Sequence, residues 1–230
     1  MRFSTFSYSS LGKKIYMAIL GLLLVSFVTV HLIGNLALLS PDKDTFNKYS
    51  HFLTHDIGGI ILVAEILIFA FFFFHFLYAL VVQWNNWKAR PIGYKKVKNA
   101  GGASKKTIMS TTMIYTGLII IIWLVIHLLN FKYGEEVMYT TKDGMLIRDL
   151  YATVTGYFSN IWNVIFYDVV MILLALHLSH GFWSAFQSLG LNGPRFMKFI
   201  RGFGYLYAIV LGAGFVFIPV WVYLTIGGAR

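Results

Sequence analysis

Long apolar runs broken by short polar segments set the pattern of this chain. Five runs stand out, over 15–39, 57–82, 108–131, 161–186 and 203–226. A hydrocarbon layer of about 30 Å needs about 20 apolar residues in a helix. An open sheet would leave backbone groups unsatisfied in lipid, so the pattern predicts five transmembrane helices. The first run follows Lys13-Lys14, is too long for a signal-peptide core and has no small-residue cleavage site, so it reads as a retained span. Pro219 is expected to kink or loosen the fifth. Between spans, 132–160 is long enough for a short surface element around 146–155. Asn99-Ala-Gly-Gly-Ala-Ser104 reads as a flexible stretch.

Composition strengthens this picture. Of 230 residues, 58% are hydrophobic and only 12% charged, too few charges to cover a soluble domain and too much apolar content for disorder. Mean hydropathy is +0.70, and the whole of 1–230 reads as one all-α integral membrane domain. There is no cysteine, which excludes disulfides, thiolate-bound clusters and covalently attached c-type haem.

The net charge of +10 is distributed unevenly. Residues 1–14, 83–107 and 187–202 hold 13 of the 19 basic residues and none of the nine acids. The positive-inside bias therefore predicts a cytoplasmic N-terminus and an outer C-terminus. Nucleic acid is not needed to explain the charge. These segments also suit anionic lipid heads or a docked partner.

Seven histidines occur, five of them inside spans: His31, His75, His127, His177 and His180. Ionisable residues in a membrane are costly and usually face the bundle interior. His31 and His127 lie late in outward-running spans, so both approach the outer surface. His75 and His177 lie late in inward-running spans, so both approach the cytoplasm. Two imidazoles facing one another at one depth are what six-coordinate haem iron needs. The reading is two b-type haems in a four-helix bundle, with a fifth helix beside it. His180 is the second choice for the inner haem and otherwise a hydrogen-bonding neighbour of His177, while Gly181 leaves room for a flat macrocycle. The fifth span lacks histidine, and Gly202, Gly204, Gly212 and Gly214 fit it for close helix contact. His31-Leu-Ile-Gly-Asn35 and His127-Leu-Leu-Asn130 form a faint internal echo.

Several segments are similar to one family: Val30-His-Leu-Ile-Gly-Asn35, Phe46-Asn-Lys-Tyr-Ser-His-Phe52, Lys88-Ala-Arg-Pro91, His127-Leu-Leu-Asn-Phe131 and, most specifically, His177-Leu-Ser-His-Gly-Phe-Trp-Ser-Ala-Phe-Gln-Ser-Leu-Gly190. Over nearly its whole length the chain resembles the single-chain, di-haem cytochrome b anchors of succinate:quinone oxidoreductase (succinate dehydrogenase) and quinol:fumarate reductase. The resemblance implies axial pairs His31/His127 and His75/His177, with His177 favoured over His180. It also implies a flavoprotein and an iron–sulfur subunit on the cytoplasmic face, with dicarboxylate chemistry on the flavin outside this chain. A quinone, by class menaquinone, and a bacterial inner membrane follow from the same likeness. Some members carry a glutamate two residues before the fourth-span haem histidine. Here that position is Ala175, so the associated proton path is not carried over.

Two acids lie within spans, Glu65 and Asp168, each about 14 Å along its helix from the inner histidine of the same span. Glu65 is read as a buried carboxylate exchanging protons with quinone beside the His31/His127 haem. Asp168 is expected to be a hydrogen-bonded packing residue. Phe71–Phe74, Trp123 and Trp183 have packing or lipid contact as their default role, and Trp84, Trp87 and Tyr94 read as belt residues. Two alternatives stand beside this reading: a di-haem anchor of another dehydrogenase or hydrogenase, and a haem-free proton-coupled transporter.

Overall fold

In a computed structural model, which describes residues 9–89 and 108–227, the Ser9 hydroxyl accepts the Gly12 amide at 3.0 Å and starts the first long helix. This is α1 (Ser10–Asn35), extended by a 3-10 turn at Leu36–Leu39. Asp42 accepts the Asp44 amide and caps α2 (Lys43–His51), which passes through a π turn, Phe52–Asp56, into α3 (Gly58–Lys88). The next helix, α4 (Ile108–His127), ends in a second π turn, Leu128–Lys132. A small antiparallel hairpin follows, β1 (Met138–Thr140) against β2 (Leu146–Arg148), in the register Tyr139 opposite Ile147. Then come α5 (Leu150–Phe158), α6 (Ile161–Ser188) and α7 (Pro194–Val222), closed by a π turn at Tyr223–Gly227.

Among the described residues five segments are long and apolar enough to cross a membrane: Ser10–Leu39, Gly58–Lys88, Met109–Lys132, Ile161–Ser188 and Pro194–Ile226. The shortest has 24 residues, which at a rise of about 1.5 Å gives about 36 Å. The chain is thus an all-α, multi-pass membrane protein. The loop glycines at 101 and 102, Arg90, Tyr94 and the lysines of 95–106 lie outside the described residues, as does Arg2.

Three boundaries depart from the apolar pattern. The fifth span starts at Pro194, nine residues before the run at 203, because Gly193-Pro194 opens a helix whose first turns are amphipathic. Met197 and Ile200 are buried there while Arg195 and Lys198 face out. The element expected over 146–155 is two elements, split at Asp149, whose carboxylate caps α5 by accepting the Ala152 amide at 3.0 Å. Pro219 stays inside α7 and is buried. The ladder gives way only after it, at the π turn from Tyr223.

α1, α3, α4 and α6 form a ring in which α1 meets α3 and α6, and α4 meets α6. The α3–α4 side is the thinnest. α7 lies outside this ring, along α6 and against the far part of α1. It is nonetheless well covered, with nine buried residues, whereas α3 has none. Three of the four glycines expected at helix contacts are there. A Cβ on Gly204 would stand 2.9 Å from Phe182, one on Gly212 2.6 Å from the Ala175 Cβ, and one on Gly214 2.8 Å from Leu32. Gly202 faces open space. Thr29 of α1 and Tyr207 of α7 are joined by a hydroxyl–hydroxyl hydrogen bond.

At the end opposite Ser10, the segments between α1 and α3 and between α4 and α6 are tied into a cap. The fully buried Asn47 donates to Asp149 at 2.8 Å and accepts the Tyr151 amide at 2.8 Å. Buried Asp44 accepts the Tyr139 hydroxyl at 2.9 Å and the Lys142 amide at 3.0 Å. Lys142 pairs with Asp42 and Lys48 with Asp143, at 2.8 and 2.9 Å. The Lys142 ammonium holds the Asp42 carboxyl below its usual range. The Thr141 hydroxyl, with Lys48, pulls Asp143 down to about 2.

Two outcomes follow from this packing. Gly212→Ala destabilises the bundle by about 1–3 kcal/mol through overpacking against Ala175. Gly202→Ala is neutral or stabilising by up to about 1 kcal/mol, and thermal unfolding in detergent separates the two. Because the Asp42 and Asp143 pKa values are depressed on folding, their contribution to the cap is complete above about pH 4. It is lost as pH falls toward 2, where hydrogen exchange at 138–148 accelerates before that of the helices. Uniform exchange across cap and helices over that range refutes this.

Candidate functional site

The five span histidines fall into two groups at the two ends of the helix ring. Near the cap, His31 of α1 and His127, the last residue of α4, stand with ring centroids 5.9 Å apart and planes at 83°. Two imidazoles on opposite sides of one metal ion, each bound at 2.0–2.1 Å, place their centroids roughly 6 Å apart. The observed separation fits that requirement. Aromatic side chains enclose the pair. Phe27 stacks on His31 at 5.5 Å, with Phe215 of α7 at 6.2 Å. Trp123, Phe131 and Tyr167 surround His127 at 5.0, 5.3 and 6.2 Å. The His127 Nδ1 and Trp123 Nε1 are buried without a hydrogen-bond partner among the described residues. Gly34, one turn beyond His31, receives the Tyr49 ring, so that a Cβ there would lie 2.5 Å from its hydroxyl. Two of the segments carrying the family likeness thus interlock beside this pair.

At the other end are His75 of α3 and His177 of α6, on helices that face each other across the ring between α1 and α4. Each ring is oriented through Nδ1. His75 Nδ1 is 3.1 Å from the Met17 carbonyl, which only accepts, so this nitrogen carries the proton. His177 Nδ1 is 3.0 Å from the Thr116 hydroxyl. That hydroxyl also lies 3.0 Å from the Met113 carbonyl; when its proton goes there, its oxygen accepts from His177 Nδ1. In the neutral His75 ring Nε2 is a bare lone pair, the state a metal ligand needs, and His177 reaches the same state when Thr116 donates to its own backbone. Glycines make room beneath each ring: Gly21 faces His75 and Gly117 faces His177.

His180 is placed differently. Its ring meets Trp183 edge-on at 4.7 Å, and the Arg201 guanidinium lies 4.5 Å over the Trp183 ring. Its Nδ1 is buried with no hydrogen-bond partner among the described residues, so no bond through that atom supports the expected role of hydrogen-bonding neighbour. Gly181 faces Met113 of α4, 3.7 Å from a would-be Cβ. Ala175 points at Gly212 of α7, so a longer side chain at 175 would strike the neighbouring helix.

The two span acids correct the sequence expectations. Glu65 is not an isolated buried carboxylate: it forms an ion pair with Lys132, and both side chains are about 40% exposed along the thin α3–α4 side. Its partner sits in the π turn after α4, where its basic charge read as belonging to the outer loop. Asp168 Oδ1, expected to be hydrogen-bonded, is buried without a partner among the described residues. Trp84 and Trp87 are exposed, as belt residues are, and Phe73 and Phe74 face outward.

Several contributors were missed in the sequence: Met17, Gly21, Thr116, Gly117 and Lys132. One signal was available for the glycines. Gly21 precedes His31 by ten residues and Gly117 precedes His127 by ten, which lengthens the internal echo between the first and third spans. Among the described residues no three His, Asp or Glu side chains gather to hold one ion. Comparison with protein-family models, with curated proteins and with solved structures gave no match.

Proposed function

We propose that this chain is the membrane-anchoring, di-haem cytochrome b subunit of a succinate:quinone or quinol:fumarate oxidoreductase, passing electrons between a cytoplasmic-side iron–sulfur subunit and membrane quinone. The observation that carries the reading is the placing of four histidines at two ends of one helix ring, with ring spacing at one end and Nδ1 contacts that orient both rings at the other. His31 and His127 are the ligands of the outer group, His75 and His177 those of the inner one. Haem held there supplies one-electron carriers at two depths. The Met17 carbonyl keeps the proton of His75 on Nδ1 and so leaves its Nε2 free to bind, while the Thr116 hydroxyl holds the His177 ring in place. Apolar and aromatic side chains around His31 and His127 exclude water from the outer pair.

Quinone chemistry requires two protons per turnover, and Glu65 is one of two acids within the spans, on the half of α3 toward the outer pair. Lys132 orients it across the α3–α4 side, where both groups are reachable from the lipid phase. Menaquinone, the bacterial inner membrane and the flavoprotein partner come from the family likeness, and the cytoplasmic N-terminus from the positive-inside bias.

Reduced-minus-oxidised spectra of the purified chain should show b-type haem at two per chain. Fewer than two overturns the proposal, and no Soret absorption favours the transporter reading. His127→Ala should leave one haem, while His180→Ala keeps both. Co-purifying subunits distinguish this anchor from that of a hydrogenase or another dehydrogenase. Glu65→Gln should lower quinone turnover by about 100-fold with haem content unchanged; wild-type turnover in that variant removes Glu65 from the reaction.

A further inference from the structure

His51 and His55 belong to neither pair. His51 is the last residue of α2, and His55 lies in the π turn Phe52–Asp56 that leads into α3. Their rings stack with centroids 4.2 Å apart and planes within 19°. His55 repeats the arrangement seen at His177. The Thr54 hydroxyl lies 3.0 Å from the Ser50 carbonyl and 2.9 Å from His55 Nδ1. When its proton goes to the carbonyl, its oxygen accepts from that nitrogen and the neutral His55 ring has a bare Nε2. Thr54, His55 and Asp56 are exposed and His51 half-buried, so the pair is open to solvent.

We infer that His51 and His55 form a two-imidazole site for a divalent transition ion of the Cu²⁺ or Zn²⁺ class. Ligand nitrogens at 2.0–2.1 Å from a tetrahedral ion lie roughly 3.3 Å from each other. The two side chains are four residues apart on one helical face with ring centroids 4.2 Å apart, and turning the rings out of their stack about the side-chain torsions brings one nitrogen of each onto a single ion. Imidazole nitrogens select Cu²⁺, Zn²⁺ and Ni²⁺ over calcium or magnesium. Only two protein ligands are present, so the remaining positions belong to water, and the site is exchangeable. The ion bridges the end of α2 to the turn entering α3, stiffening the link between cap and second span. Thr54 is a positioning residue, acting through His55.

The test is Cu²⁺ titration of the full-length protein, purified in detergent without a histidine tag and read by electron paramagnetic resonance. One Cu²⁺ per chain is expected, with hyperfine coupling from two imidazole nitrogens. His51→Ala and His55→Ala should each remove the two-nitrogen signature. Thr54→Val should keep it while weakening Cu²⁺ binding by about tenfold. Circular dichroism and gel filtration of each variant establish that it is folded. An unchanged spectrum in both folded histidine variants overturns the inference, as does the absence of a two-nitrogen species in wild type. Because these residues belong to neither span pair, the outcome is read separately from haem content: a haem-free chain that loses the signal in His51→Ala still supports this site.

Discussion

An imidazole between apolar helices has one nitrogen that donates and one that accepts, and the donor must have somewhere to go. Leaving a buried polar group unpaired costs about 1–3 kcal/mol. At the end of the bundle near Ser10 the solution is a carbonyl for His75 and a relayed hydroxyl for His177. Much of the local arrangement depends on this. α1 must pass close enough for the Met17 carbonyl to reach α3, and Gly21 supplies the clearance. α4 must present Thr116 to α6, with Gly117 beside it. The helices that carry no histidine at a given depth are thus the ones that fix the histidines of their neighbours.

The far end is organised by different forces. There the rings are enclosed by aromatic side chains, and rigidity comes from outside the bundle. Asn47 and Asp149 join two segments about a hundred residues apart in sequence, and both are buried. Tyr49 fills the notch at Gly34, so the cap and α1 are held together one turn from His31. A polar cap supporting an apolar pocket divides the work between hydrogen bonds, which work at the water-facing end, and ring packing, which suits the interior.

Much of this architecture was legible in the amino-acid order. Hydropathy located five spans because a lipid-facing helix is marked by composition alone. Depth could be read because each span runs opposite to the last, which grouped His31 with His127 and His75 with His177. What hydropathy missed was amphipathic or cooperative. The basic start of α7 was hidden because Arg195 and Lys198 mask the buried Met197 and Ile200. The Glu65–Lys132 pair was hidden because its members belong to different helices and one was counted as loop charge. The hydroxyl relay at Thr116 was hidden because a threonine in an apolar helix ordinarily bonds only its own backbone. The cap acids looked like a solvated loop until the hairpin brought Tyr139 and Lys142 onto Asp44.

The bare flank of α3 bears on how the sequence is free to drift. None of its 31 residues is fully buried and many are exposed, so lipid rather than a complementary surface judges much of this helix. Leucine, isoleucine, valine and phenylalanine are interchangeable to such a judge. Homologous chains should therefore scramble the apolar letters of this helix while keeping its hydrophobicity, and resist change at His75 and Glu65, whose partners lie on other helices.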